Sequence, residues 1–339
     1  MHIVDDEQRG DHPATPAALG TRPLLILGRA PSMDRRNMAA IASLLAALLF
    51  WTAPVQALQK TAVFVTASFV DKNRLYVENL KQDEIRVFED GQPREVEFFA
   101  GKEVPMAYGL LLDRVLLPEP FEESRPYPDN ISSSTSALNV AYQLLDQCLR
   151  GQAGWAATYD AEMHLVIDFT QDGGMVKQSI QQLRSRRSLD ESSLYTVLFS
   201  AVQKMNQRNE KRRILVTFLD VLDRNTGGKL KLLKNLLSAS NVELFIAGFA
   251  SKSGSGRGMP PFQSESSLRD LAGVTAGDAC FSAMEGIEGL GRRISNQIRT
   301  FYTIGFESEA PPDTPARLTI ECTRPGVKVK THPVTPTLR

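Results

Sequence analysis

Hydrophobic positions keep one spacing at the two ends of the chain and another in its middle. From residue 60 to 100 they alternate with polar ones, in Ala62-Val-Phe-Val-Thr-Ala-Ser-Phe-Val70, Ile85-Arg-Val-Phe88 and Glu95-Val-Glu-Phe-Phe99. A period of two predicts strands with one exposed face. Asp90-Gly91 lies between the last two runs and tolerates positive φ at both positions, which predicts a hairpin. Near the other end, Arg317-Leu-Thr-Ile-Glu-Cys322 and Val327-Lys-Val-Lys330 bracket Pro325-Gly326 and predict a second hairpin. Three strands this short cannot bury a core alone. Both ends of the mature chain are therefore expected to build one small β unit, with the main domain inserted between them.

Between about 105 and 306 the pattern switches back and forth between continuous apolar runs and 3.6-residue stripes. Strands are predicted at 106–113, 155–160, 163–169, 213–220, 242–249 and 279–282, closing with 301–307. Helices are predicted at Ser136–Leu149, Met175–Arg184, Ser192–Gln207, Lys229–Ser238, Glu265–Ala272 and Ile287–Arg299. In the third of these, Leu194, Val197, Leu198, Ala201 and Met205 share one stripe. Only 155–160 and 163–169 join directly, through Asp160-Ala-Glu162, so they are expected to pair antiparallel at an edge. Continuous strand–helix alternation with one such pair predicts an α/β fold: a doubly wound, mostly parallel sheet.

The amino end stands outside this pattern. Residues 1–32 carry Pro, Gly and charge without periodicity and read as a non-native or disordered extension. From Met33, a basic start at Arg35-Arg36, an apolar run from Met38 to Ala53 and small residues in Val55-Gln-Ala57 make a secretory signal, 33–57. The mature chain then begins near Leu58, and translation fits a start at Met33 better than at Met1. An uncleaved membrane anchor is the alternative, because the apolar run approaches the lower spanning limit. The resulting division is 58–104 for an N-terminal β-rich unit, 105–308 for the alternating domain, and 309–339 for a C-terminal hairpin and tail.

Composition narrows the function classes. The chain has 339 residues, 42% hydrophobic and 23% charged, with 39 basic against 39 acidic side chains. A net charge of zero gives no long-range field toward nucleic acid. The runs Arg184-Ser-Arg186-Arg187 and Lys211-Arg212-Arg213 read as solvated faces, and Ser253-Gly-Ser-Gly-Arg-Gly258 as a connector. Cys148, Cys280 and Cys322 have neither disulfide-framework nor zinc spacing; buried free thiols are expected at Cys148 and Cys280, while an exported chain permits one disulfide whose pairing the sequence leaves open. Of the four histidines only His164 lies within the alternating region, and no nucleophile elbow or His-Glu-x-x-His helix is present, so catalysis is not expected.

The candidate chemistry sits at strand ends. Tyr108-Gly-Leu-Leu-Leu-Asp113 and Ile214-Leu-Val-Thr-Phe-Leu-Asp220 each deliver a carboxylate to the carboxyl edge of the predicted sheet, where open α/β folds place ligands. The Ser192 hydroxyl opens a helix between them in sequence. Two carboxylates and a hydroxyl around one crevice suit a hard divalent cation.

With those residues placed, the chain resembles the von Willebrand factor type A domain, and more narrowly the secreted A-type proteins of Acidobacteria and related soil bacteria. The likeness spans about 60–332. It is carried by Leu80-Lys-Gln-Asp-Glu-Ile-Arg-Val-Phe-Glu-Asp-Gly91, by Ile298-Arg-Thr-Phe-Tyr-Thr-Ile-Gly305 and by Arg324-Pro-Gly-Val-Lys-Val329, in that order. The resemblance implies a metal-ion-dependent adhesion site, in which a D-x-S-x-S strand end, a threonine and a later aspartate hold magnesium for an acidic group of a protein partner. Asp113 matches the first aspartate, Ser192 stands for the threonine in Ser192-Ser-Leu-Tyr195, and Asp220 matches the last, with Asp223 following it.

The two serines are replaced, because Arg114-Val115-Leu116-Leu117 follows Asp113. The site is therefore degenerate, and no cofactor is expected. Arg114 could substitute for the ion by pairing with Asp113 or Asp220. Alternatively, the long Pro118–Ser134 segment could supply replacement oxygens for magnesium from Glu119, Glu122, Asp129 or Ser132–Ser134. The functional expectation is a non-enzymatic protein-binding module, secreted or periplasmic, whose rim includes Arg114, Glu119 and Asp223. It would meet a membrane only through its signal or an uncleaved anchor, and would not bind nucleic acid.

Overall fold

A computed structural model describes residues 60–73, 75–118, 133–184, 194–220, 230–249, 262–311 and 314–337. Contacts divide the chain into Met1–Ala57 and Leu58–Arg339, and every element below belongs to the second unit. The expected extension, signal and cleavage point lie outside the described residues. No helix among the described residues is long and apolar enough to cross a membrane.

The body is a six-stranded sheet. Strands β5 (Met106–Asp113), β6 (Ala153–Tyr159), β7 (Met163–Thr170), β8 (Arg212–Asp220), β9 (Val242–Phe249) and β10 (Ala279–Phe281) lie in the order β10-β9-β8-β5-β6-β7. All neighbours run parallel except β6 and β7, the antiparallel edge pair that the short Asp160-Ala-Glu162 link predicts. Every residue of β5, β8 and β9 is buried, as a strand covered on both faces requires. Alternation divides the side chains into two layers. Tyr108, Leu110, Leu112, Val216 and Phe218 pack against helices α1 (Ser133–Gln147), α2 (Gly173–Gln181) and α6 (Ser282–Thr300). Leu111, Leu215 and Leu219 pack with α3 (Leu194–Met205), α4 (Leu230–Ala239) and α5 (Phe262–Gly273). The fold is therefore mixed α/β around a mostly parallel sheet.

Two glycines make close packing between β5 and β6. Gly109 lies opposite Trp155, and Gly154 opposite Tyr108, in the paired register. A Cβ on Gly154 would stand 1.9 Å from Tyr108 Cζ, and one on Gly109 would stand 2.5 Å from Trp155 Cζ2. Each ring thus occupies the space its partner leaves.

The β unit is built from both ends of Leu58–Arg339, but its pairing differs from the two simple hairpins. β1 (Thr61–Val70) lies between β13 (Lys328–Thr331) and β11 (Tyr302–Ser308), with β4 (Val96–Ala100) beyond β11. A second sheet has the order β12-β2-β3, from Leu318–Cys322, Ile85–Glu89 and Gln92–Arg94. Asp90 and Gly91, with φ of 49° and 81°, do form a two-residue turn, yet it joins β2 to β3, and β4 departs to the other sheet. The strands flanking Pro325-Gly326 likewise separate, β12 pairing with β2 and β13 with β1. Strand 301–307, expected to close the body, instead supplies Tyr302, Ile304 and Phe306 to the β-unit core. It is buried almost throughout in that sheet as well, so its residue pattern does not separate the two settings and only its strand partners do.

The basic run Lys211-Arg212-Arg213 is not a solvated face. Lys211 Nζ stands 3.9 Å from the Phe98 ring centroid and 4.2 Å from that of Phe64, on two strands of the β unit. Arg212 is fully buried, donates to Ile298 O at 2.9 Å and lies 3.5 Å from the equally buried Glu243. Burial pushes the Glu243 carboxyl up, against the pull of Arg212. His332, just after β13, is also fully buried, and neither ring nitrogen has a hydrogen-bond partner among the described residues. Burial, reinforced by the Arg213 charge, lowers its pKa to about 4. The tail beyond it is docked by backbone bonds, from Thr335 N to Ala316 O and from Thr337 N to Ala239 O, each 2.8 Å. Cys148, Cys280 and Cys322 are free thiols, and burial pushes Cys148 up to about 12.

Candidate functional site

The chain enters the sheet at β5, adds β6 on one side and later β8 on the other. The topological switch point therefore falls between β5 and β8, and the crevice above such a point is where open α/β sheets bind. Asp113 and Asp220 end those two strands at the same carboxyl edge. Both are buried, at 2% and 7% exposure. The pleat puts Asp113 in the row of Leu111 and Asp220 in the row of Phe218, so the carboxylates approach the crevice from opposite faces of the sheet. Beneath them Tyr159 Oη donates to Phe218 O at 3.5 Å.

The turn after β5 is a single 3-10 turn, Arg114–Leu116, capped by Asp113, whose Oδ1 accepts the Val115 N–H at 3.0 Å. That bond satisfies one of the donors that a helix start leaves without a partner. Val115 is 67% exposed, whereas Leu117 is only 3% exposed and packs into the core layer of Leu110 and Leu112.

Arg114 does not use its guanidinium on either strand-end aspartate. Its Nη1 donates to Asp160 Oδ2 at 2.7 Å. Asp160 also receives His164 Nε2 at 3.0 Å and the Glu162 N–H at 3.3 Å. Burial opposes the Asp160 charge, but hydrogen bonds from His164 and Arg114 outweigh it and hold the carboxyl at about 2. Asp160 is thus a rim anchor. Only the four-residue spacing to His164 hinted at it. Arg114 Nε is buried with no hydrogen-bond partner among the described residues.

These residues test the ion that the sequence resemblance implies. Magnesium takes near-octahedral oxygen ligation. At the described positions of the expected ligand set, Asp113 and Asp220 offer oxygens, and Val115 and Leu117 offer none. One Asp113 oxygen is already an acceptor for the turn. No cluster of three metal-ligating His, Cys, Asp or Glu residues occurs among the described residues. The usual set does not fit at these positions. Ser192, Glu119 and Asp223 lie outside the described residues, as do Glu122 and Asp129.

No protein-family model matches the sequence, and no curated protein matches it. Solved structures do. A von Willebrand factor type A protein from Catenulispora acidiphila is 9% identical, covering 81% of this chain and 75% of its own, with a TM-score of 0.42. The ArnB paralog VWA2 from Sulfolobus acidocaldarius is 9% identical over 82% and 76%, at 0.38. An aerotolerance-related membrane protein from Bacteroides fragilis is 12% identical over 57% and 98%, at 0.43. At these scores the architecture rests on the sheet order itself.

Proposed function

We propose that this chain is an exported, non-enzymatic protein-binding module of the von Willebrand factor A type, with a weakened metal site. It is delivered by the 33–57 segment to the periplasm or beyond, and docks a protein partner through the carboxyl rim of its sheet. What supports the reading is the switch point between β5 and β8, where Asp113 and Asp220 end neighbouring strands at the same carboxyl edge, while Val115 and Leu117 fall at sequence positions where the resemblance expects ligating serines. Binding residues concentrate on loops over a rigid sheet, and the rim loops here start from strands buried on both faces. Recognition then rests on direct hydrogen bonding and charge at the rim, with Arg114 oriented by Asp160. No cofactor is required in this reading.

The test has two arms. Thermal unfolding with Mg²⁺ or Mn²⁺ in excess should show no saturable stabilisation, since an ion bound only by the native state would raise stability with its concentration. A shift abolished by Asp113→Ala would establish metal-dependent adhesion instead. Cross-linking from residues flanking β5 and β8, in an envelope extract, should capture a partner that Asp220→Lys releases. Capture unaffected by that change would move the docking surface elsewhere.

A further inference from the structure

A second recessed surface lies at the far end of the body from the carboxyl rim. Helix α6 runs back from β10 toward the amino edge of the sheet, and its two faces differ. Ile294 and Ile298 enter the core, and Gly291 lies so near α1 that a Cβ there would stand 2.1 Å from Gln143 Oε1. Gly289, Arg292, Asn296, Arg299 and Thr300 follow helical spacing on the opposite face and line a groove of about 980 Å³. That volume is in the range of real ligand sites, roughly 300–1,000 Å³.

The opposing wall is held in place. Tyr302 Oη accepts the Leu80 N–H at 3.1 Å and donates to Val77 O at 3.4 Å, fixing the 77–80 segment. The Tyr302 ring stacks on Phe99 with centroids 4.9 Å apart and planes 10° apart. Leu75 stands at the margin, 65% exposed.

The charge in this groove is unbalanced. Arg293 is engaged by Asp278 at 3.1 Å, and Glu103 accepts the Gly101 N–H at 2.9 Å. Arg292, Arg299 and Lys102 have no ion pair among the described residues, and Glu78 is the only other carboxylate lining the groove there. Three uncommitted cations beside an exposed leucine call for an anionic occupant with an apolar side chain. A polyphosphate backbone fits poorly, because Glu78 and Glu103 interrupt the basic track and the chain has no net positive charge. Those carboxylates can instead accept backbone N–H groups.

We propose that this groove binds an extended acidic peptide segment of a partner protein, its carboxylates on Arg292, Arg299 and Lys102 and one large apolar side chain against Leu75 and Phe99. The helical face from Gly289 to Thr300 rises about 16 Å, the reach of about five extended residues. The proposal is independent of the rim, since no residue is shared.

The experiment is fluorescence anisotropy of the full chain with labelled Asp-Glu-Leu-Asp-Glu. Saturable binding is expected, at least tenfold weaker in Arg292→Glu/Arg299→Glu and severalfold weaker in Leu75→Ser. All three positions are exposed, so circular dichroism of the variants should match the parent. Arg292→Ala/Arg299→Ala, with a smaller loss, serves if charge reversal disturbs folding. No binding, equal binding by the charge-reversed variant, or equal binding of Lys-Lys-Leu-Lys-Lys would overturn the proposal. So would tighter binding of a single-stranded oligonucleotide or of phosphatidylglycerol vesicles that displace the peptide.

Discussion

His332→Leu tests the buried seam between the β unit and the body. A histidine in the unfolded chain titrates near 6.5, whereas burial and Arg213 hold His332 at about 4. Between those values the unfolded state binds the extra proton and the native state does not. Stability therefore rises with pH across that window, is complete above 6.5, and is fully lost below 4. At about 1.4 kcal/mol per pH unit, the full contribution is about 3 kcal/mol. Leucine has a similar volume and leaves no unpartnered nitrogen, so at pH 7.5 the variant should lie within about 1 kcal/mol of the parent. Urea unfolding followed by tryptophan fluorescence at pH 7.5, 6.5, 5.5 and 4.5 gives both curves. Glu243 and Asp278 titrate in both proteins and cancel in the difference. The parent should lose about 2.5 kcal/mol relative to the variant between pH 7.5 and 4.5. A difference that stays flat over that range would refute a buried neutral imidazole.

Gly154→Ala should destabilise by about 1–3 kcal/mol or more by forcing a methyl into the Tyr108 ring, read as a lower urea midpoint with an unchanged slope. Leu117→Ser should cost about 2–5 kcal/mol because the side chain belongs to the core, while the exposed Val115→Ser should change stability by less than about 0.5 kcal/mol. Neither serine alone should create saturable Mn²⁺ binding in calorimetry. Asp160→Asn removes the charge that orients Arg114 and accepts from His164, and should lose about 1 kcal/mol at pH 7. In the parent that contribution is present above the ordinary carboxylate pKa and disappears as pH falls through about 2, a dependence the variant should lack.

Strands β5, β8 and β9 are legible because burial on both faces writes a largely apolar run, and the same runs show that β5 and β8 end in carboxylates. Pairing partners were less legible. Gln92-Pro-Arg94 has no apolar signal, so the sequence pattern hides the true second arm of the Asp90-Gly91 turn and points to 95–99 instead. Strand 301–307 looks the same whether it joins the body or the β unit, since only its neighbours differ. The partner of Arg114 was hidden for a related reason. Asp160 is 46 residues away in sequence and meets Arg114 only because β5 and β6 lie side by side. Arg212 and Glu243 carried no sign of burial, because charge alone does not mark an internal pair.

The pairing of β1 imposes an order of events on the newborn polypeptide. Thr61 finds Ser308, and Val70 finds Lys328, across a sequence separation of about 250 residues, a loop whose closure is slow to be repaid. Both flanks of β1, the first strand among the described residues, thus stay bare until their partners near the other end of the chain have been made. During that interval it is a ten-residue ribbon ready to pair with any neighbouring chain. Truncation before Lys328 would make that interval permanent on one side, leaving the alternating body able to form but its terminal sheet open.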